Sequence, residues 1–317
     1  MKVSFIHSGN PEMGSYRLRA QIPAKELGAS LNNPLVDVLV LSKPMEHELS
    51  LLDSGKTVIV DFCDPHFINF PHYREFLRRG YLITCSSSVM AQIIASQGRK
   101  AFVIPDCWDN EQAEPHFSGT NLVWFGHFTN LPSIQRVRQS LSGYGLRTLC
   151  NAPGCEPLTQ ESRNQALALA DIVVIPATEA YKNPNRAVTA IRAGCLVVAE
   201  PHPAFAGFPV YVGDIKEGIE WAMNNPNKAL DLIRKGQAYV CERYSPKTVA
   251  SAWRTAIQSA CTLAAANTVG KTGPTATSQE QTSTVTYEHY HSTITMPMPP
   301  LPSTLSSISS SGRPQPC

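Results

Sequence analysis

The sequence predicts an α/β protein built of two halves that face one cleft. Three observations predict it. Along residues 1–262, short β-branched runs alternate with helical patterns. The strand candidates are near-continuous apolar runs, the mark of a parallel sheet covered on both faces. A stretch rich in Asp, Glu, Pro and Asn at 105–119 breaks the alternation, which then starts again.

Taken in order, KVSFIH (2–7) reads as a buried strand, followed by a Gly/Ser loop and a helix over 15–27. DVLVL (37–41), TVIVD (57–61), 82–85 and 102–104 are the further strands of the first half. HYREFLRRG and SVMAQIIASQG are helices between them, the second ending on Gly98 as its C-cap. In the second half LVWF (122–125), DIVVI (171–175) and CLVVA (195–199) are strands, and helices follow over 214–224, 228–243 and 246–263. After Ala266 the chain turns to Thr, Ser, Pro and Gln, too few apolar side chains to offset ordering entropy. The expected organisation is therefore a first half over 1–112, a second over 113–265 and a disordered tail over 266–317.

A chain of 317 residues holds two cores of ordinary size. With 27 basic and 25 acidic residues the net charge is +2, which gives no electrostatic case for wrapping nucleic acid. The nine cysteines have no zinc-finger spacing, Cys150 and Cys155 included, and read as reduced thiols. MKVSFIHSG lacks the apolar core of a secretion signal, and no run reaches the roughly 18 to 20 apolar residues that span a bilayer. A soluble, cytoplasmic protein is expected.

In an open parallel sheet, ligands bind beyond the carboxyl ends of the strands. Three such loops carry unusual chemistry. HSGNPEMGSYRLR (7–19) offers glycines for close backbone approach, Ser15 as a helix cap, and Arg17 and Arg19 beside a helix N-terminus that attracts anions. An ordinary turn with surface arginines fits the same residues. VIVDFCDPHF (58–67) brings Asp61, Asp64 and His66 off a strand end, either as general base and hydroxyl ligands or as caps and turn formers. KNPNRAVTAIRAG (182–194) places Lys182 and Arg186 four apart, on one face at the start of a helix that Gly194 closes. Two cations beside a helix N-terminus suit a diphosphate.

These residues resemble the GT-B glycosyltransferases, in particular the retaining branch (glycosyltransferase family 4-like) that uses nucleotide-diphosphate sugars. The similarity covers about 1–262. SYRLRAQIPAKELG looks like the first helix after the family's glycine loop. TCSSSVMAQII and AFVIPD look like its serine helix and following strand. LVWFGHFTN, ADIVVIP, KNPNRAVTAIRAGCLVVA and YSPKTVASAW follow in the family's order. The chain departs from the pattern where typical members carry two glutamates: Tyr181 and Thr189 stand there. GHFTNLPS also lacks the usual arginine and lysine. Lys-x-x-Asn-Arg at the helix start looks like a sub-branch whose own cations replace that pair.

The resemblance implies two Rossmann-like domains and a hexosyltransferase reaction from a nucleotide sugar to an acceptor hydroxyl, with retention and no metal or other cofactor. It implies donor contacts from Lys182, Asn185, Arg186, Thr189 and Gly126. Gly14, Ser15 and Arg17 would form the opposing phosphate loop, and Asp64 and His66 would face the acceptor as catalytic groups. The acceptor is left open between a polysaccharide, a lipid carrier, a protein and a modified base. Trp253 and its apolar neighbours fit a terminal helix packing back across the cleft, or a core position alone. A non-catalytic nucleotide-binding module and a nucleotide-sugar epimerase are the competing readings of the same fold.

Overall fold

The computed structural model describes residues 1–119 and 121–269. Apart from its first residues, the tail expected over 266–317 lies outside the described residues. Two all-parallel sheets form the framework, in the order β2-β1-β3-β4-β5-β6 and β11-β10-β9-β7-β8.

The first sheet uses β1 (Val3–Ile6), β2 (Ser30–Leu31), β3 (Val38–Ser42), β4 (Thr57–Phe62), β5 (Leu82–Cys85) and β6 (Ala101–Val103). Its strands are mostly apolar because both faces are covered, with Ser4, Ser42, Asp61 and Thr84 as buried polar positions. Val38 and Val40 join one core with Phe5, Ile59 and Leu82, while Leu39 and Leu41 join the other with Val58, Val60 and Phe62. Full burial stabilises each such side chain by about 1.5–3 kcal/mol. The second face is covered by α3 (Pro71–Arg79) and α4 (Ser88–Ser96), through Tyr73, Phe76, Met90 and Ile94.

The second sheet consists of β7 (Asn121–Phe125), β8 (Gly145–Leu149), β9 (Ile172–Ile175), β10 (Leu196–Ala199) and β11 (Tyr211–Val212). The edge strands β2, β8 and β11 escape a reading of apolar runs. β2 and β11 are two residues long, and β8 (GLRTL) carries polar residues along an edge. α5 (Leu131–Arg138), α6 (Gln160–Ala168), α7 (Asn185–Arg192), α8 (Ile215–Asn224) and α9 (Pro226–Tyr244) connect and cover these strands.

Two expected helices are corrected. The segment after the first loop is α1 (Gly14–Tyr16), a π-helical turn over Arg17–Gln21 and α2 (Ile22–Leu27). Pro23 has no N–H for the α-helical bond, so a wide turn precedes it. Ser15 lies inside this helix instead of capping it; Met13 is the cap residue and gives no side-chain bond. The helix expected over 182–194 is only α7, because the Asn183-Pro184 step disfavours helical backbone at Asn183. Gly194, at φ +81°, ends it as expected, and a Cβ there would collide with the Glu114 carbonyl oxygen.

The chain then returns. α10 (Pro246–Val269) leaves the second sheet and packs on the first, where Val249, Trp253, Ala256, Ile257 and Ala260 enter the core around Phe5. Trp253 is fully buried, edge-on to Phe5 at 5.2 Å and beneath the Arg19 guanidinium.

Candidate active site

Loops from the carboxyl ends of β4 and β5 meet the loop that follows β9. The segment 181–186 is tied to the first half at three points. Ser87 Oγ, which also caps α4, donates to the Tyr181 carbonyl at 2.7 Å. Asn183 Nδ2 donates to Asp106 Oδ2 at 2.7 Å. Lys182 Nζ donates to Asp64 Oδ1 at 2.5 Å.

That last contact changes the expected arrangement of cations. Lys182 precedes α7, in a turn where its N–H donates to the Glu179 carbonyl, so it does not share a helix face with Arg186. Its charge is met by Asp64, whose carboxylate is held below the usual range. Burial would push Asp64 up, but the charge and hydrogen bond of Lys182, helped by His66 and Lys43, outweigh it. Burial makes the loss of water outside the pair costly, so either partner released alone needs another counter-charge.

Arg186 stands in the first turn of α7 with no such partner. Its Nη1 is buried without a hydrogen bond among the described residues. Burial pulls its pKa down to about 10, with only Glu179 acting in the other direction. Gly126 lies against it: a Cβ there would stand 3.6 Å from Nη1 and 3.1 Å from the Trp124 ring. Arg186 and Lys182 line a small pocket with Ile175, Ala177, Asn183 and His202. A second, wider depression shares Ala177 and Thr178 and is lined by Asn130, Ser133, Arg136 and Glu179.

On the first side, His66 Nε2 lies 3.8 Å from Asp64 Oδ2, and the ring packs on Tyr73 at 5.0 Å. Burial lowers its pKa, against the pull of Asp64, so the imidazole is neutral at pH 7. The structure thus brings together Asp64, His66, Lys182, Arg186 and Gly126.

Other expected site residues are otherwise employed. Arg17 is no free phosphate ligand: Nε donates to Asp109 Oδ2 at 2.8 Å, and Nη1 turns to the Pro11 and Glu12 carbonyls. Asp61 is inaccessible. It accepts two bonds from the fully buried Arg19, one from Ser42 Oγ at 2.8 Å and one from Thr84 Oγ1 at 2.7 Å. Thr189 is buried and spends its hydroxyl on the Asn185 carbonyl at 3.0 Å, which takes it off the cleft wall. Asn185 Nδ2 approaches Asp106 at 3.5 Å, so it faces the link between the sheets. Gly14 has open space where its Cβ would be, so close approach is not what requires glycine there.

Gly9 is the glycine this loop needs, since a Cβ there would meet His7 Cε1 at 2.6 Å. His7 Nδ1 accepts the Gly9 N–H at 2.9 Å, which leaves Nε2–H to donate to Ser15 Oγ at 3.3 Å. Sequence reading assigned no role to His7, to Lys43, or to the buried Glu48. Glu48 ties the loops after β1 and β3 through Ser8 Oγ and the Met45 N–H, each at 2.6 Å. The available signal was position: His7 and Lys43 directly follow apolar strands at their carboxyl ends.

No family model and no curated protein matches this chain. Solved structures do. HepE of Anabaena, solved with UDP and glucose, aligns with a TM-score of 0.60 at 11% identity over 82% of this chain and all of its own. T4 phage BGT, solved with its UDP-glucose substrate, aligns with a TM-score of 0.51 at 13% identity over 81% of this chain and 99% of its own. The fold is GT-B. S. aureus TarM, solved with UDP among its ligands, matches over 69% of this chain and 55% of its own, with a TM-score of 0.52 at 12% identity. At these identities the likeness extends to the backbone arrangement alone. The chemistry of the site rests on this chain's own residues.

Proposed function

We propose that this protein transfers a sugar from a nucleotide-diphosphate sugar to an acceptor hydroxyl. The observation that carries the reading is the half-buried Arg186 guanidinium at the N-terminal turn of α7, whose buried Nη1 has no hydrogen bond among the described residues and which lines a small pocket. A buried cation without a counter-charge is costly, and a diphosphate supplies that counter-charge with bidentate geometry. Arg186, Lys182 and the α7 N-terminus neutralise the charge that grows on the leaving diphosphate, which is where stabilisation lowers the barrier. The UDP and UDP-glucose carried by structures of HepE and T4 phage BGT support a donor of this class.

In this reading the second sheet carries the donor and the first carries the acceptor. When Lys182 moves to the diphosphate, Asp64 loses its strongest cation and becomes a better acceptor for the proton of an incoming hydroxyl. Neutral His66 lies beside it to bind or relay that proton. The cations do the work a metal would do, so a chelator is expected to leave turnover unchanged. Retention of anomeric configuration is expected from the family resemblance, and NMR of the product checks it. Among the described residues no helix is long and apolar enough to cross a membrane, and the proposed setting is the cytoplasm.

A binding module without turnover is the second reading, favoured by Thr189, whose hydroxyl is tied to its own helix where related enzymes carry a glutamate. Incubation with UDP-, GDP- and ADP-sugars separates the two. Release of nucleoside diphosphate that depends on Arg186 supports transfer chemistry; tight binding without release supports the module.

A further inference from the structure

Lys43 directly follows β3, at the carboxyl edge of the first sheet, and its own N–H donates to the Asp61 carbonyl at 3.4 Å. Its backbone is left-handed, with φ +53°. A non-glycine residue seldom adopts that conformation, and Pro44 restricts Lys43 further toward extended backbone. Such strain persists where the surroundings enforce it, and it clusters at binding sites.

The side chain is half-buried. Among the described residues its ammonium makes no ion pair or hydrogen bond, although Arg17, Arg19 and Lys182 around the same cleft are all paired with carboxylates. The Lys43 charge bears on His7, Asp64 and His66 of the first half and on His127 of the second. His127 adjoins Gly126, the residue that lies against Arg186. Lys43 therefore stands at the strand ends that carry Asp64, whose partner Lys182 lines the pocket beside Arg186.

We propose that Lys43 is a further substrate-binding residue, whose ammonium contacts a phosphate oxygen of the nucleotide-diphosphate donor from the side opposite Arg186. This rests on the transferase reading above. It makes the diphosphate site a joint product of both halves.

Calorimetric titration with UDP and with inorganic pyrophosphate tests the assignment in the full chain. Lys43→Met is expected to weaken both ligands about tenfold, and Lys43→Arg to restore most of that loss, because the charge returns. Lys43→Gly guards against a folding defect: glycine accepts φ +53° freely, so this variant should melt no lower than wild type yet bind as weakly as Lys43→Met. Unchanged affinity in Lys43→Met, with Arg186→Met weakened, overturns the role of Lys43 and leaves the donor site standing. If wild type binds neither UDP, GDP, ADP nor pyrophosphate, the donor reading falls and the Lys43 assignment falls with it.

Discussion

At the scale of single residues, the site is defined by which charges are satisfied. Arg186 has a buried Nη1 without a hydrogen bond among the described residues, so replacing it should separate binding from stability. Arg186→Met is expected to lower nucleotide affinity by about 10- to 100-fold, the loss of roughly 1.5–3 kcal/mol of charged hydrogen bonding. It should leave the melting temperature unchanged or raised, since an uncompensated buried charge is removed. Asp64→Asn should act in the other sense. It frees Lys182 for the diphosphate, so nucleotide affinity rises about threefold or more while transfer falls, both readable from titration and turnover assays. His7 gives a pH prediction. Burial, with Lys43 adding to it, lowers its pKa from 6.5 to about 4. Because the folded value lies below the unfolded one, the stability it contributes is present above pH 6.5 and is lost as pH falls toward 4. Protonation also removes the acceptor for the Gly9 N–H. Melting temperatures measured from pH 7 to 4 should therefore fall less steeply in His7→Gln, whose side-chain oxygen remains an acceptor.

At the scale of elements, periodicity and punctuation determine the structure where the chain is apolar and leave it open where a distant pairing decides. β3, β4 and β5 are legible because nearly every residue is buried on one face or the other. The last helix is legible because Trp253 and its neighbours recur at helical spacing, but its seat on the first sheet is set by Phe5 and Arg19, which lie far away in sequence. Lys182 and Arg186 do line one pocket, yet Pro184 stops the helix short of Lys182. No local pattern could reveal that Asp64, 118 residues away, takes its charge. Arg17 and Asp109, 92 residues apart, escaped for the same reason. The return of α10 makes a stability prediction. Trp253→Ala should cost about 3–5 kcal/mol in chemical denaturation. The loss should appear first as lower protection of β1 and β3 amides in hydrogen exchange, since those strands form the core it fills.

At the scale of the whole molecule, two parallel sheets turn their strand ends toward each other, and residues from both build one electrostatic site. Asp64 and His66 come from the first, Lys182 and Arg186 from the second, with Tyr181, Lys182 and Asn183 bonded to Ser87, Asp64 and Asp106. The two-sheet plan was legible in the alternation of runs and in the break over 105–119. The division of labour among the cations was not, because it depends on which carboxylates the fold carries to them. The central claim is that Arg186 waits for the diphosphate of a sugar nucleotide. A crystal structure with UDP soaked in tests it most directly: the account predicts phosphate oxygens within about 3 Å of the Arg186 guanidinium and Lys182 turned from Asp64 toward them. A diphosphate bound elsewhere, with Arg186 still unpartnered and Lys182 still on Asp64, would contradict it.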